Sequence, residues 1–503
     1  MTRAARPTRF RRGVQALAAM LAAASSGCIV GPDFSPPAAP SISRYTSAGE
    51  TPDTVTLGER VTAEWWVLFR SPAIDALVKE AITGNPTLES ATARLTAARE
   101  AVAAASGALY PQVDFSASVT RGRLNAASFG LNADQALLPP NYNAYQLGPT
   151  VSYALDIFGG TRRQIEAKAA SADAQAYQLD AAYQTLTGNV VTQALQEAVF
   201  QAQLQAIHDI LDLDRQNLEL VRTERRAGSV PDTDVVSAQS QLAADETLLP
   251  GPEQQRDVAR HALAVLLGRA PGEWSPPDLD LAALTLPGKL PVSLPSELVH
   301  QRPDILVAEA QLHAASAQIG VATAQLYPSI TLSGSVGAAA LDPGRLFNPA
   351  GLLWSVAAGL TEPVFDGGTR EAERQAALAE FKAAAAGYRQ TVLQAFGQVA
   401  DTMQALAHDA QLLTDQSEAL DVATESVRLQ RISYAGGGSG ILRLLDAQRQ
   451  YQQARLGYVR AEGQRYADTI QLLVAMGGGW WGADLAVAPA AQAAGNRGPQ
   501  PPR

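Results

Sequence analysis

The chain has 503 residues, 47% hydrophobic and 17% charged, with a formal net charge of −10. Charged residues are scarcer than the roughly 25% of an ordinary soluble domain, and the acidic balance excludes a general nucleic-acid binder, which shows a basic footprint. Its one cysteine, Cys28, excludes an internal disulfide, a Cys-rich zinc site and an iron–sulfur cluster.

Residues 1–12 carry Arg3, Arg6, Arg9, Arg11 and Arg12 and no acid; an apolar run from Val14 to Ala24 follows, then Ser25, Ser26 and Gly27. A basic start, a short apolar run and small residues describe a secretory signal over residues 1–27. Small residues ending at a cysteine resemble a bacterial lipobox, in which Cys28 takes diacylglycerol and palmitate. Ser25 stands where lipoboxes usually carry leucine. Removal of 1–27 takes five arginines and no acid, which leaves a net charge of −15. No later stretch holds about 20 consecutive apolar residues, which excludes a helical membrane protein but not a β-barrel, whose signal per strand is weaker. Residues 28–71 read as an N-terminal periplasmic extension.

The rest is duplicated. Asn85-Pro86 opens a helical stretch that ends at Tyr110-Pro111, and Arg302-Pro303 opens one that ends at Tyr327-Pro328, with a Pro-to-Pro spacing of 25 in both. YPQVDFSASV from Tyr110 parallels YPSITLSGSV from Tyr327. Phe158-Gly-Gly-Thr-Arg162 parallels Phe365-Asp-Gly-Gly-Thr-Arg370; Ala227-Gly228 parallels Ala435-Gly436; Leu266-Leu-Gly268 parallels Ala475-Met-Gly477. Ordered anchors of this kind define tandem repeats. The first copy covers 72–270: a helix, a β-hairpin over 112–158, a long helix 161–227 and a helix 232–267. A Pro-rich equatorial connector, 271–295, follows. The second copy covers 296–481: a helix, a β-hairpin over 329–365, a long helix 369–434 and a helix 440–476. The tail 482–503 reads as disordered.

The strands alternate with period two. Val113, Phe115, Ala117 and Val119 oppose Gln112, Asp114, Ser116 and Ser118; Val151, Tyr153, Leu155 and Ile157 oppose Thr150, Ser152, Ala154 and Asp156. In the second copy Ile330, Leu332 and Val336 oppose Ser329, Thr331, Ser333 and Ser335, and Trp354, Val356, Ala358 and Leu360 oppose Ser355, Ala357, Gly359 and Thr361. At about 10 residues each, such strands are long enough to cross a bilayer at a tilt. The segments 121–145 and 339–351 read as extracellular loops.

Arg162 to Arg226 contains no proline, and about 65 residues at a rise of about 1.5 Å run to near 100 Å. No single globular core covers such a helix. A 4,3 rhythm runs through 179, 183, 186, 190, 193, 197, 200, 204, 207, 211, 214, 218 and 221, broken by Gln193, Glu197 and Asp214. Phe396, Val399, Met403, Leu406, Ala410, Leu413, Leu420, Val427 and Tyr434 repeat it. A sustained heptad means coiled-coil packing. Pro250 and Pro252 interrupt the helix that follows the first turn.

Four strands cannot close a barrel, whose smallest form has roughly eight, and an open strand edge in lipid leaves backbone groups unpaired. The strands must therefore be pooled between chains: two protomers supply eight and three supply twelve, enough for a pore. Secretion, polar-in strands and long helices then point to a conduit from the outer membrane into the periplasm.

At this point the residues resemble the TolC-like outer-membrane efflux proteins, in particular the NodT branch of lipoprotein channels paired with resistance–nodulation–division pumps. The matching pieces are Cys28-Ile-Val-Gly-Pro-Asp-Phe34, Trp65-Trp66, Asn85-Pro86-Thr-Leu88, Leu155-Asp-Ile-Phe-Gly159, Pro363-Val-Phe-Asp-Gly-Gly368, Leu444-Leu-Asp-Ala-Gln-Arg449 and Met476-Gly-Gly-Gly-Trp480. The resemblance implies a mainly α fold with transmembrane β: four strands and long coiled-coil helices per protomer, a homotrimeric twelve-stranded β-barrel and a periplasmic α-helical barrel. It implies, too, a periplasmic adaptor (membrane fusion) protein and an inner-membrane resistance–nodulation–division pump as partners, and small-molecule efflux as the function. The tip turns that meet the adaptor are Gly228-Ser229-Val230-Pro231 and Gly436-Gly437-Gly438-Ser439-Gly440. The run of glycines suggests unusual local freedom there. Asp421 and Glu425 are candidate gate residues, since three copies of either make an acidic ring. Asp446 and Arg449 are candidates for a network that ties neighbouring helices at the tip.

Rival readings are type I protein secretion or metal-cation efflux through the same architecture, a structural coiled-coil lipoprotein, and an enzyme. The five histidines, His208, His261, His300, His313 and His408, lack metal-ligand spacing, no Gly-x-Ser-x-Gly elbow occurs, and methionine numbers only 4, too few for a soft-metal pathway.

Overall fold

The computed structural model describes residues 29–47, 52, 54–123 and 141–478. The expected signal over 1–27, the expected lipidation site Cys28, most of the first expected loop and the tail 482–503 lie outside the described residues. The chain forms two compact units. One, here the strand unit, holds the N-terminal segment through Pro37 together with Thr96–Ala174 and Ala308–Gly387; the other, the helical unit, holds Ala38–Leu95, Gln175–Val307 and the chain from Tyr388 onward.

In chain order the elements are β1 (Val55–Leu57), a 3-10 turn (Trp65–Phe69), α1 (Pro72–Gly84), α2 (Pro86–Gly107), β2 (Gln112–Arg123), β3 (Asn141–Leu155), α3 (Gly160–Arg226), α4 (Asp232–Glu246) and α5 (Pro250–Leu266). Then come β4 (Leu290–Val292), α6 (Pro295–Leu298), α7 (Pro303–Ala324), β5 (Ser329–Ala340), β6 (Leu352–Thr361), α8 (Thr369–Ala435) and α9 (Ile441–Ala475), with short 3-10 turns between.

The strand unit is built on one four-stranded antiparallel sheet of order β2-β3-β5-β6. The strands run into the segments expected as loops: Arg121–Arg123 pair with Asn141–Asn143, so polar side chains continue the ladder past the apolar stretch. At the other end β3 stops at Leu155. Asp156 leaves the ladder because its carboxylate accepts from the backbone N–H of Thr161 and of Arg162, at 2.8 and 3.0 Å, and so caps α3. Asp366 does the same for α8, accepting from Gly368 and Arg370 at 2.8 and 3.1 Å. Short acceptors are the natural partners of these orphan donors.

The helical unit has its own core. Trp65, Trp66 and Phe69 are at most 1% exposed and pack with Val190, Leu263, Leu298 and Leu473. Parallel pairing of β1 with β4 joins the N-terminal extension to the connector. The two copies close alike. Asn85 caps α2 through its Oδ1 and donates from Nδ2 to the Leu266 carbonyl at 2.7 Å; its counterpart Arg302 donates from Nη1 to the Ala475 carbonyl at 2.9 Å. They differ after the first tip. The helix expected over 232–267, with an interruption at Pro250 and Pro252, is two helices, because the chain turns over Thr247–Leu249 and Pro250 begins α5 at its first position. Proline suits that position because its missing N–H would have no partner there. The corresponding α9 is unbroken over 35 residues.

Candidate functional site

The sheet register carries one apolar face across all four strands. Val113 lies opposite Val151, Tyr153 opposite Leu332, and Ile330 opposite Leu360. Much of this face is open: Phe115 is 71% exposed, Trp354 73% and Val356 80%. The other face carries Ser, Thr, Gly and Gln, with Ser335 and Ser355 hydroxyls 2.8 Å apart across β5 and β6. β2 and β6 each leave an edge unpaired among the described residues. A bare apolar face with open edges is unstable in water. Lipid outside, a polar lumen inside and further strands at both edges satisfy it.

Immediately after Cys28 the chain is held to the strand–helix junction. Val30 N–H donates to the Phe158 carbonyl at 3.1 Å. The buried Arg163 donates to the Val30 carbonyl at 3.2 Å and to Asp33 at 2.7 Å. Phe34 stacks on His313 with ring centroids 4.3 Å apart, and His313 lies 3.0 Å from Glu166. The residues that follow Cys28 are therefore fixed where the sheet ends.

The two tip turns share one cap. Ser229 N–H donates to the Glu224 carbonyl and Gly438 N–H to that of Ser433, at 2.9 and 2.8 Å, and the residues before them, Gly228 and Gly437, have φ of +79° and +72°. This is the Schellman arrangement, in which glycine supplies the left-handed residue. The cap pairs Gly228 with Gly437, one residue later than the sequence alignment. Gly436, Gly438 and Gly440 do not have positive φ, so the glycine run needs its special backbone at one place only.

The turns also differ. In the first, Arg225 grips Asp232 with two hydrogen bonds of 2.6 and 2.9 Å. Beside the second, the buried Tyr434 hydroxyl donates to Glu224, which joins α8 to α3. Neither link was among the sequence candidates. Of those, Asp421 is exposed, and Glu425 accepts from Arg428 at 2.6 and 2.7 Å, which holds its carboxyl below the usual range. Asp446 and Arg449 face each other 3.6 Å apart on one exposed stretch of α9. Within this chain they bind one another rather than a neighbouring helix.

Two of the heptad breaks turn out to be buried carboxyls. Glu197, 1% exposed, receives the Arg260 guanidinium at 2.9 Å. Asp214 lies beside Asp245, which accepts from Gln241 and Gln452 at 2.8 and 2.7 Å. Burial first, and the adjacent carboxylate second, push Asp214 up to about 8. The same causes act on Asp409 beside Asp468 and push it up to about 7. Among the described residues no group of His, Cys, Asp and Glu could hold a metal ion.

An amphipathic sheet with open edges, joined to long helices in two repeated halves, defines an outer-membrane channel. The match to the outer membrane efflux protein family over residues 77–269 and 294–478 shows that the chain belongs to that family. That family comprises efflux channels, not enzymes. Over 474 residues the chain is 30% identical to the pyoverdine export outer membrane protein OpmQ of Pseudomonas aeruginosa, which covers 93% of this chain and 97% of that one. It is 28% identical to nodulation protein T of Rhizobium leguminosarum over 472 residues, 90% of this chain and 95% of the relative. The solved structure of the outer-membrane channel OprN superposes with a TM-score of 0.82 at 31% identity, over 90% of this chain and all of that one.

Proposed function

We propose that this chain is the outer-membrane channel of a tripartite efflux system. It exports small molecules passively through a homotrimeric pore, with the driving force supplied by an inner-membrane resistance–nodulation–division pump and a periplasmic adaptor. The observation that carries this reading is the unbroken division of the sheet into an apolar and a polar face, with an unpaired edge on each side. Three chains bring twelve strands, which leave a lumen rather than a filled core. The turns Gly228–Pro231 and Gly436–Gly440 are the adaptor contacts. Cys28 carries diacylglycerol and palmitate. A relative named for pyoverdine export supports a small organic cargo.

Purified protein in planar bilayers is expected to give stepwise conductance, and an intact oligomer without conductance overturns the channel. Loss of the gene is expected to raise intracellular accumulation of small organic toxicants; a change confined to copper or silver ions overturns that cargo class. Labelled palmitate is expected on the protein and absent from Cys28→Ser.

A further inference from the structure

A cleft of about 730 Å³ opens in the helical unit, between α3, α5, α9 and the connector at residues 278–282. That volume falls within the roughly 300–1,000 Å³ of small-molecule sites. Its charges are sorted by sign along the helices. α9 runs antiparallel to α3, since Gly463 lies against Val199 while Leu456 packs with Ile207. Glu462 therefore stands level with the Glu197 end of the cleft, and Arg455 stands about two helical turns nearer the tip. On the opposite wall Arg260 donates to Glu197, and Arg256, about one turn nearer the tip, reaches Gln201 at 3.4 Å. The connector's Asp278 adds its negative charge at Glu197. One end is thus acidic and the other basic.

Both ends hold groups without a full set of partners. Glu197 is 1% exposed, and Arg260 takes only its Oε1; the buried Oε2 has no hydrogen-bond partner. Burial pushes the carboxyls of Glu197 and Glu462 up, because their charged forms lack water. Arg455 makes no hydrogen bond or ion pair among the described residues and bears only through its charge on Glu462 and Tyr458. Arg256 is held no closer than 3.3 Å, by Gln201 and Asp257.

We propose that this cleft binds a short zwitterionic peptide with free ends, its ammonium on Glu197 Oε2 and Glu462 and its carboxylate on Arg455 and Arg256. The ammonium supplies the donor that the orphan oxygen lacks, and the carboxylate accepts charge-assisted hydrogen bonds from the guanidinium groups. The length fits. From Glu197 to Gln205, α3 advances about 12 Å at a rise of about 1.5 Å per residue, and a peptide of two or three residues spans about 7–10 Å. A simple amine satisfies only the acidic end and a simple anion only the basic one. Leu279, Leu281 and Val459 give the side chains an apolar wall. The bound peptide braces α3 and α5 of the first repeat against α9 of the second, and its occupancy does not depend on what the pore carries.

The test is calorimetric titration of the full-length, detergent-solubilised protein with Ala-Ala at neutral pH. Binding is expected, together with a rise in melting temperature, since a ligand of the folded state stabilises it. N-acetyl-Ala-Ala, which lacks the ammonium, and Ala-Ala amide, which lacks the carboxylate, are each expected to bind about tenfold or more weakly, as the loss of a hydrogen bond between charged groups requires. Arg455→Gln removes no internal partner, so it is expected to melt like the parent without ligand. It should bind Ala-Ala about tenfold more weakly and no longer prefer it to the amide. Arg460→Gln, on the same helix but outside the cleft, is expected to bind as the parent does. No heat at millimolar Ala-Ala overturns the site. Equal binding of the free and blocked peptides overturns it too, as does a preference for the free carboxylate that survives Arg455→Gln or is lost equally in Arg460→Gln.

Discussion

At Asp214 the helical unit keeps a proton on a carboxyl that the unfolded chain releases near pH of about 4. Its folded value, raised to about 8, means that the folded chain binds the proton over the interval between. The resulting stability is complete below about 4 and is lost as pH rises through about 8. The stability of the detergent-solubilised protein is therefore expected to fall between pH of about 4 and about 8 and to level off above that, by roughly 1–3 kcal/mol, the cost of an unsatisfied buried polar group. Asp214→Asn keeps a donor towards Asp245 and is expected to lose the alkaline part of that fall. An unchanged slope in the variant would show that the proton sits elsewhere. The sequence flagged this residue only as a break in a heptad. Spacing along a helix fixes which face a side chain lies on, but not what lies across from it. Asp245 and Gln452 arrive from two other helices, and nothing local to Asp214 announces them.

Helix ends were legible to within a residue or two where a short acceptor or a glycine marked them, as at Asp156, Gly228 and Asp366. The split at Thr247–Leu249 was less so, because proline both ends helices and opens them. At the second tip, Gly437→Ala forces a side chain into the left-handed region and is expected to cost about 1–2 kcal/mol. Gly440→Ala faces open space at φ of −83° and is expected to cost far less. Equal melting losses in the two variants would contradict the cap. On the strands, Val356→Arg places a charge on the open apolar face and is expected to cost roughly 2–4 kcal/mol, read as loss of folded protein in the membrane fraction. Ser333→Arg, on the other face, is expected to insert normally and to lower single-channel conductance. If instead Ser333→Arg abolishes insertion and Val356→Arg does not, the two faces have been assigned the wrong way round.

At the scale of the whole molecule, the duplication was visible because its anchors, Tyr-Pro, Phe with Gly-Gly-Thr-Arg, and the tip glycines, sit where the backbone must turn or stop. The asymmetry between the copies was not. The Arg225–Asp232 clamp exists at one tip, and the buried acid pairs fall at positions without a matching pair in the other repeat. Identical backbones do not require identical side chains.

The bare apolar face and the two open edges have a consequence for a chain in transit. Between export and insertion they face water, where each is a template for pairing with the wrong strand. The helical unit, which packs Trp65, Trp66 and Phe69 into a core of its own, has no such need of lipid. Safe passage therefore favours a division in time: helices that fold early, and strands kept apart by an escort until a bilayer receives them. Limited proteolysis of newly exported chains is expected to leave the α3, α5 and α9 segments protected while cutting within β2 and β6. Simultaneous protection of both would mean that the sheet pairs before it reaches the membrane.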